Sequence, residues 1–337
     1  MGAIRPRDLL SDDLLAGLGR PGALASDIVS LAAAGYLNVA LPQEFGAGGL
    51  GCTLRQAACG QRRLARYAPD AALAVSAHLY WTGAAADAHR AGDGSVRWIL
   101  DEAARGALIA GGHGAAGSDL KFADPRSRCE PDGAGGYLFR DPDALSTVTP
   151  SWDWIAVHAV DDGARPRSVI AFAGRGARCT PGLRIARVAE AGTPGDVFTT
   201  SALTWGNSIL ASVQYSDARR AFNDAITACA EAVTPAAFAV PGGPVEGHVQ
   251  LVPGQGARPP GRWLVAEAGI RLDAMKAKIA EITHPWQLVQ EPAPDLGGQH
   301  LISLYAMRHE VTEGAASVHS LVEHLTGKST PARTLPR

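Results

Sequence analysis

Lysine is nearly missing from this chain: of 31 basic residues only Lys121, Lys276, Lys278 and Lys328 are lysines, and 33 acidic residues leave a formal net charge of -2. With no basic surplus to neutralise a phosphate backbone, nucleic acid is not expected as a partner. There is no large acidic excess either, and 46% hydrophobic content is too high for a disordered chain. Apolar runs of the roughly 18 residues needed to cross a bilayer are absent, and Met1 to Leu10 carries charges where a secretory leader has its apolar core. The expectation is a cytoplasmic protein without a membrane. The five cysteines, Cys52, Cys59, Cys129, Cys179 and Cys229, form no C-x-x-C pair. That spacing fits reduced, buried thiols better than a disulfide frame or a zinc site.

What is there is organised in three textures. From Asp8 to about Arg105 apolar residues recur at helical spacing, as in Leu14, Leu15 and Leu18, then Ile28, Leu31 and Ala32. From about Ala107 to Ile185 short β-rich runs follow: Tyr137 to Phe139, Trp154 to Val160 and Ser168 to Ala173. These predict a small antiparallel sheet. Helical periodicity returns from Asp196 to Val233, predicting one long helix with a break allowed near Gly206. Thr234 to Gly261 holds six prolines and six glycines and reads as a long loop. Two further helices are expected over Trp263 to Ile282 and Leu301 to Leu325. The expected domains are a helical one over 1–106, a β domain over 107–190, and a C-terminal helical bundle over 191–337 carrying the Pro/Gly-rich loop at 234–261.

That order, together with several local stretches, resembles the acyl-CoA dehydrogenase superfamily. Ala33 to Gly49, with Leu41-Pro-Gln-Glu-Phe-Gly46 at its centre, is similar to that family's "vPeefGG" turn. Ala116-Gly-Ser-Asp-Leu120 resembles its "aGSDl" motif beside the flavin, and Ser146 and Thr147 through Trp154 resemble the segment that follows. Ala218-Arg-Arg-Ala-Phe-Asn-Asp-Ala matches the first helix of the C-terminal bundle. The resemblance implies an α+β fold of acyl-CoA dehydrogenase type, with its C-terminal bundle truncated.

Measured against that family, the chain lacks several parts. The acidic Thr-Glu-Pro triplet before Gly-Ser-Asp reads Gly112-His113-Gly114, and the Trp expected near the flavin is Leu145, although Thr147 is kept. The "G-M-R-x-T-x-S" strand is expected to be deleted, with Pro181 to Val188 running almost directly into the next helix. An Arg-x-x-Phe-Gly for the flavin diphosphate and the late Gly-Gly loop are also missing from the sequence. Dehydrogenation of an acyl thioester needs a carboxylate to take the α-proton. Where one subfamily carries it on the first C-terminal helix, this chain has Trp205, Gly206 and Asn207.

These departures favour an enzyme with no cofactor, one that cyclises or isomerises a polyketide-like or acyl substrate in the former flavin and acyl cleft. The alternatives are an FAD-dependent acyl-CoA or acyl-carrier-protein dehydrogenase, a flavin monooxygenase with a divergent site, or an inactive subunit paired with an active homologue. His113, Asn207 and Trp205 are the candidate catalytic residues, and His78, Trp81, Ser118, Thr147, Trp152 and Tyr215 the candidate substrate contacts. His113 competes with a plain turn histidine among glycines, and Trp81 with simple packing. Gly46-Ala-Gly48-Gly-Leu-Gly51 matches a dinucleotide-binding fingerprint only by letter, because no strand precedes it. Ser118-Asp-Leu-Lys121 lacks the partner motifs of a Ser-x-x-Lys enzyme. The apolar stripes between Trp263 and Leu325 imply a homodimer.

Overall fold

The computed structural model describes residues 5–46, 48–111, 128–133, 136–139, 151–161, 163, 165–175, 183–190, 196–233, 260–284 and 298–327. Six α-helices come first: α1 (Pro6–Leu9), α2 (Asp12–Gly17), α3 (Leu24–Ala33), α4 (Leu54–Tyr67), α5 (Pro69–Arg90) and α6 (Arg97–Ala104). Thr53 starts α4 with a reciprocal cap: its hydroxyl accepts from the Gln56 backbone, and the Gln56 side chain accepts from the Thr53 backbone. The "vPeefGG"-like turn over 41–51 is a short 3-10 turn in which Gly46 and Gly48 hold positive φ, so the glycines serve the chain reversal. Helix α5 is rich in alanine and buried over almost all of residues 71–88. Small side chains let neighbouring helices approach it closely, which makes it the central strut of the first core.

The sheet is mixed, not antiparallel. Its strands are β1 (Ile109–Gly111), β2 (Arg128–Pro131), β3 (Tyr137–Phe139), β4 (Trp154–Asp161), β5 (Arg167–Gly174) and β6 (Leu183–Glu190). The order is β3-β2-β4-β5-β6, and β1 also pairs with β4. Both β1 and β2 run parallel to β4 and share one of its edges, β1 at Trp154 to Ala156 and β2 near Val160 and Asp161. Leu183–Glu190, where the sequence offers no apolar run, is a full strand paired antiparallel with β5 across a bulge at Ile170 and Ala171, and the next helix begins at Val197. The bulge leaves Ala186 without a partner and so brings Arg184 and Arg187, opposite Phe172 and Ile170, to the helix-facing side, which hides the strand from a search for alternating apolar residues.

Three long helices close the fold: α7 (Val197–Val233), α8 (Pro260–Thr283) and α9 (Gly298–Thr326). Helix α7 is continuous through Gly206, so no break forms there. Pro260 and Gly261 open α8 instead of ending the loop, since a proline in the first helical turn loses no intrahelical bond. Hydrogen bonds run up one side of α7 in step with α9: His300 Nε2 to Thr204 Oγ1 at 3.0 Å, Arg308 to Gln214 Oε1 at 2.6 Å, and His319 Nε2 to Asp217 Oδ2 at 3.3 Å. Residue numbers rise together, so α7 and α9 are parallel. Burial pushes the Asp217 carboxyl up, but bonds from His319 and Arg220 outweigh it and hold its pKa down at about 2.

Two main cores result. The first joins α2 to α6, the inner sheet face and one side of α7; the second lies between the other side of α7 and helices α8 and α9. Among the described residues no helix is long and apolar enough to cross a membrane, and no cluster of three metal-ligating side chains forms.

Candidate functional site

The sheet meets the helices through a row of aromatic rings. Trp154 of β4 packs edge-on against Trp98 of α6 with ring centres 5.4 Å apart, and Trp98 against Phe172 of β5 at 5.3 Å. Phe172 touches Trp81 of α5 at 5.1 Å, and Trp81 stacks on Phe198 in the first turn of α7 at 5.7 Å. Strand register places Trp154, Ala156 and Phe172 on the face turned toward the helices. Two arginines of β6 border this row. Arg184 lies 4.3 Å over the Trp98 ring and pairs with Glu102; Arg187 lies 5.2 Å over Phe198 and pairs with both Asp93 and Asp196. Asp196 also accepts from the Thr199 backbone, so one carboxylate caps α7 and ties it to the sheet.

Further along the same sheet face sit His158 and Ser168, with His158 Nε2 2.7 Å from Ser168 Oγ. Burial lowers the His158 pKa to about 4, which keeps the ring neutral at physiological pH. The pair can therefore donate and accept hydrogen bonds without a change of charge. His78 is a different case. Its Nε2 lies 3.0 Å from the Leu37 carbonyl and its Nδ1 accepts from the Ile109 backbone at 3.3 Å, so both nitrogens are spent in joining α5 to the 36–38 turn and to β1. Burial lowers its pKa to about 4 as well.

The structure scatters the other expected site residues. Trp205 is fully buried against α5, and its indole N–H donates to Asp87 at 2.8 Å; Asp87 is also held by Arg90. Asn207 lies two residues on, roughly opposite on the helix. Its amide donates to the Leu203 carbonyl at 2.9 Å. Tyr215 belongs to the second core, away from the sheet. Trp152 packs on Ala110, Ile155 and Ala173, the sheet face opposite the aromatic row, with its carbonyl accepting from Arg175. Only Trp81 and His78 stand where α5 meets the sheet. His113, Ser118 and Thr147 lie outside the described residues.

Sequence reasoning did not single out His158, Ser168, Phe172, Phe198, Arg184 or Arg187. His158 in Trp-Ile-Ala-Val-His-Ala-Val was a usable signal, since a polar residue in an otherwise apolar central strand needs a buried partner.

No protein-family model matches the chain, and no curated protein matches it in sequence. Solved structures do match in shape. KijD3, solved with FMN and a dTDP-linked amino keto sugar, superposes with a TM-score of 0.63 at 19% identity over 92% of this chain and 78% of its own. The nitrososynthase from Micromonospora carbonacea var. africana gives 0.62 at 18% identity over 90% of this chain and 78% of its own. FMN-bound TdsC from Paenibacillus sp. A11-2, a dibenzothiophene monooxygenase, gives 0.60 at 17% identity over 94% and 83%. These likenesses show the fold, the acyl-CoA dehydrogenase-like one. They also correct the expectation of a protein without a cofactor: KijD3 and TdsC, which share the fold over nine-tenths of the chain, hold FMN. Cofactor-free cyclisation, which rested on that expectation, loses its support.

Proposed function

We propose that the chain is a flavin-dependent oxidoreductase that oxygenates a small organic substrate, with FMN as its flavin. The observation that carries this reading is the shared fold with solved structures holding FMN, one of them a monooxygenase. The described residues fit the ring of such a group. An isoalloxazine is flat and apolar on its faces, with nitrogen and oxygen along its edge. The inner sheet face offers aromatic surface beside the neutral His158 and Ser168 pair, which is the donor set such an edge needs.

A bound flavin, once reduced, supplies the electrons that activate dioxygen. The protein's own part is to position and to keep water out. Trp81, Phe172 and Phe198 fill the junction with buried apolar surface. Arg187 fixes the start of α7 against the sheet, and the His158 and Ser168 pair adds polar groups beside it without adding charge. Oxygenation is favoured over dehydrogenation of an acyl thioester because the turn at 205–207 presents no carboxylate, and its two polar side chains are engaged with Asp87 and Leu203. The protein is proposed to work as a homodimer, with the exposed Trp263 and Ile270 of α8 and Ile302 of α9 in the contact.

The test is equilibrium binding of FMN to the purified chain, read by quenching of flavin fluorescence. Stoichiometric binding at micromolar FMN, weakened at least about tenfold by His158→Ala, is expected for a lost hydrogen bond to the ring edge. No binding at tens of micromolar FMN refutes the reading.

A further inference from the structure

One face of α4 is lined with arginines that have no carboxylate. Arg55, Cys59, Arg62 and Arg66 follow at helical spacing along its solvent side, while Leu54, Ala57, Ala58, Gln61, Leu64 and Ala65 face the core. Among the described residues Arg55, Arg62 and Arg66 make no ion pair, in contrast to Arg63 on the next strip, which pairs with Asp12. Arg62 is steadied by Cys59 Sγ at 3.0 Å, and Arg66 lies 6.0 Å over the ring of Tyr67, itself an exposed aromatic. Helix α7 adds one more guanidinium. Ser216 Oγ donates to the Arg62 carbonyl at 2.9 Å, which sets α7 beside α4, and one turn on stands the exposed Arg219, also without an ion pair among the described residues. On the same helix Asp217 and Asp224 pair with Arg220, and Asp217 also with His319.

We propose that this strip is a docking surface for an acidic α-helix of a partner protein. The chain as a whole is slightly acidic, so four uncompensated arginines on one side are a local reversal of its charge. The row spans about 16 Å from Arg55 to Arg66 at 1.5 Å per residue, too long for one small anion and matched by a helix with carboxylates at i, i+4, i+7 and i+11. Arginine suits carboxylates because its planar fork can bond both oxygens, and arginine with an exposed tyrosine is the composition enriched where proteins meet. Arg62 and Arg66 are already oriented by their own helix, which lowers the entropic cost of binding.

The probe is a fluorescein-labelled helical peptide of alanine and glutamine with glutamates at those four positions, titrated against the full chain by anisotropy at low salt. A control peptide carries the same glutamates spread around the helix. Binding of the row peptide about tenfold tighter than the control supports the proposal. So does about tenfold weakening by Arg55→Gln, Arg66→Gln and Arg219→Gln together, since each exposed pair contributes a fraction of that. Equal binding of the two peptides overturns it, as does an unaffected triple variant whose thermal melt matches wild type. Displacement of the row peptide by micromolar tripolyphosphate assigns the strip to small anions and overturns it too.

Discussion

Replacing Gly83 by alanine tests the contact that positions α7. A Cβ at Gly83 would fall 2.6 Å from Cε2 of Trp205 and closer still to Cδ2 and Cε3, inside van der Waals contact with the ring. The indole has nowhere to go, because its N–H is bonded to Asp87 at 2.8 Å and Asp87 is pinned by Arg90. Overpacking of this kind costs about 1 to 3 kcal/mol, and a hydrogen bond to a charged group lost as the ring shifts adds a similar amount. Alanine regains about 1 kcal/mol over glycine in a helix interior. The expected net loss is therefore about 1 to 5 kcal/mol, read by urea denaturation. Because the clash is with one side chain, Trp205→Leu should remove it, so the double variant should be less destabilised than the sum of the two single changes. A Gly83→Ala variant as stable as wild type, or strict additivity with Trp205→Leu, refutes the reasoning.

Other outcomes follow from the same geometry. The folded pKa values of His78 and His158, both about 4, lie below the ordinary 6.5, so the unfolded chain binds protons more tightly. Stability is thus full above about pH 6.5 and falls as pH drops toward 4, by roughly 2 kcal/mol per histidine at pH 5; denaturation of wild type and of His158→Gln across that range checks it, the variant showing a flatter decline. Arg187→Ala should loosen the start of α7, seen as faster amide hydrogen exchange over 197–204, because Asp93 and Asp196 lose their shared partner. Trp263→Glu with Ile270→Glu should leave the fold intact and shift a dimer to monomer in light scattering; a wild-type chain already monomeric at high concentration removes the proposed dimer.

Much of the architecture was legible because its signals are local. Periodicity located α7, α8 and α9 to within a few residues, and apolar runs located β3, β4 and β5. Strand β6 escaped because two arginines stand on its helix-facing side, where they are satisfied by Trp98, Phe198 and the carboxylates of Glu102, Asp93 and Asp196. The extra start of α8 at Pro260 escaped because composition alone does not tell a loop proline from one in a first helical turn.

The candidate site was less legible. The resemblance sets Trp205 and Asn207 together at the place of the family's catalytic carboxylate, but two steps along a helix turn a side chain through about 200°, which sends one to α5 and leaves the other on the far side. His78 has a polar side chain on a helix near the site, and only the tertiary contacts with Leu37 and Ile109 show that both its nitrogens are spent. His158 and Ser168 lie ten residues apart and meet only because a hairpin folds β5 onto β4.

Composition and periodicity by themselves determined the order of helices, sheet and helices, since each element's apolar pattern is written within ten or twenty residues. What they did not determine is where each polar side chain finds its partner. The aromatic row, the buried carboxylate under Trp205 and the arginine ties of β6 all join residues from separate elements. Those pairings are long-range, so only the packed tertiary structure decides them.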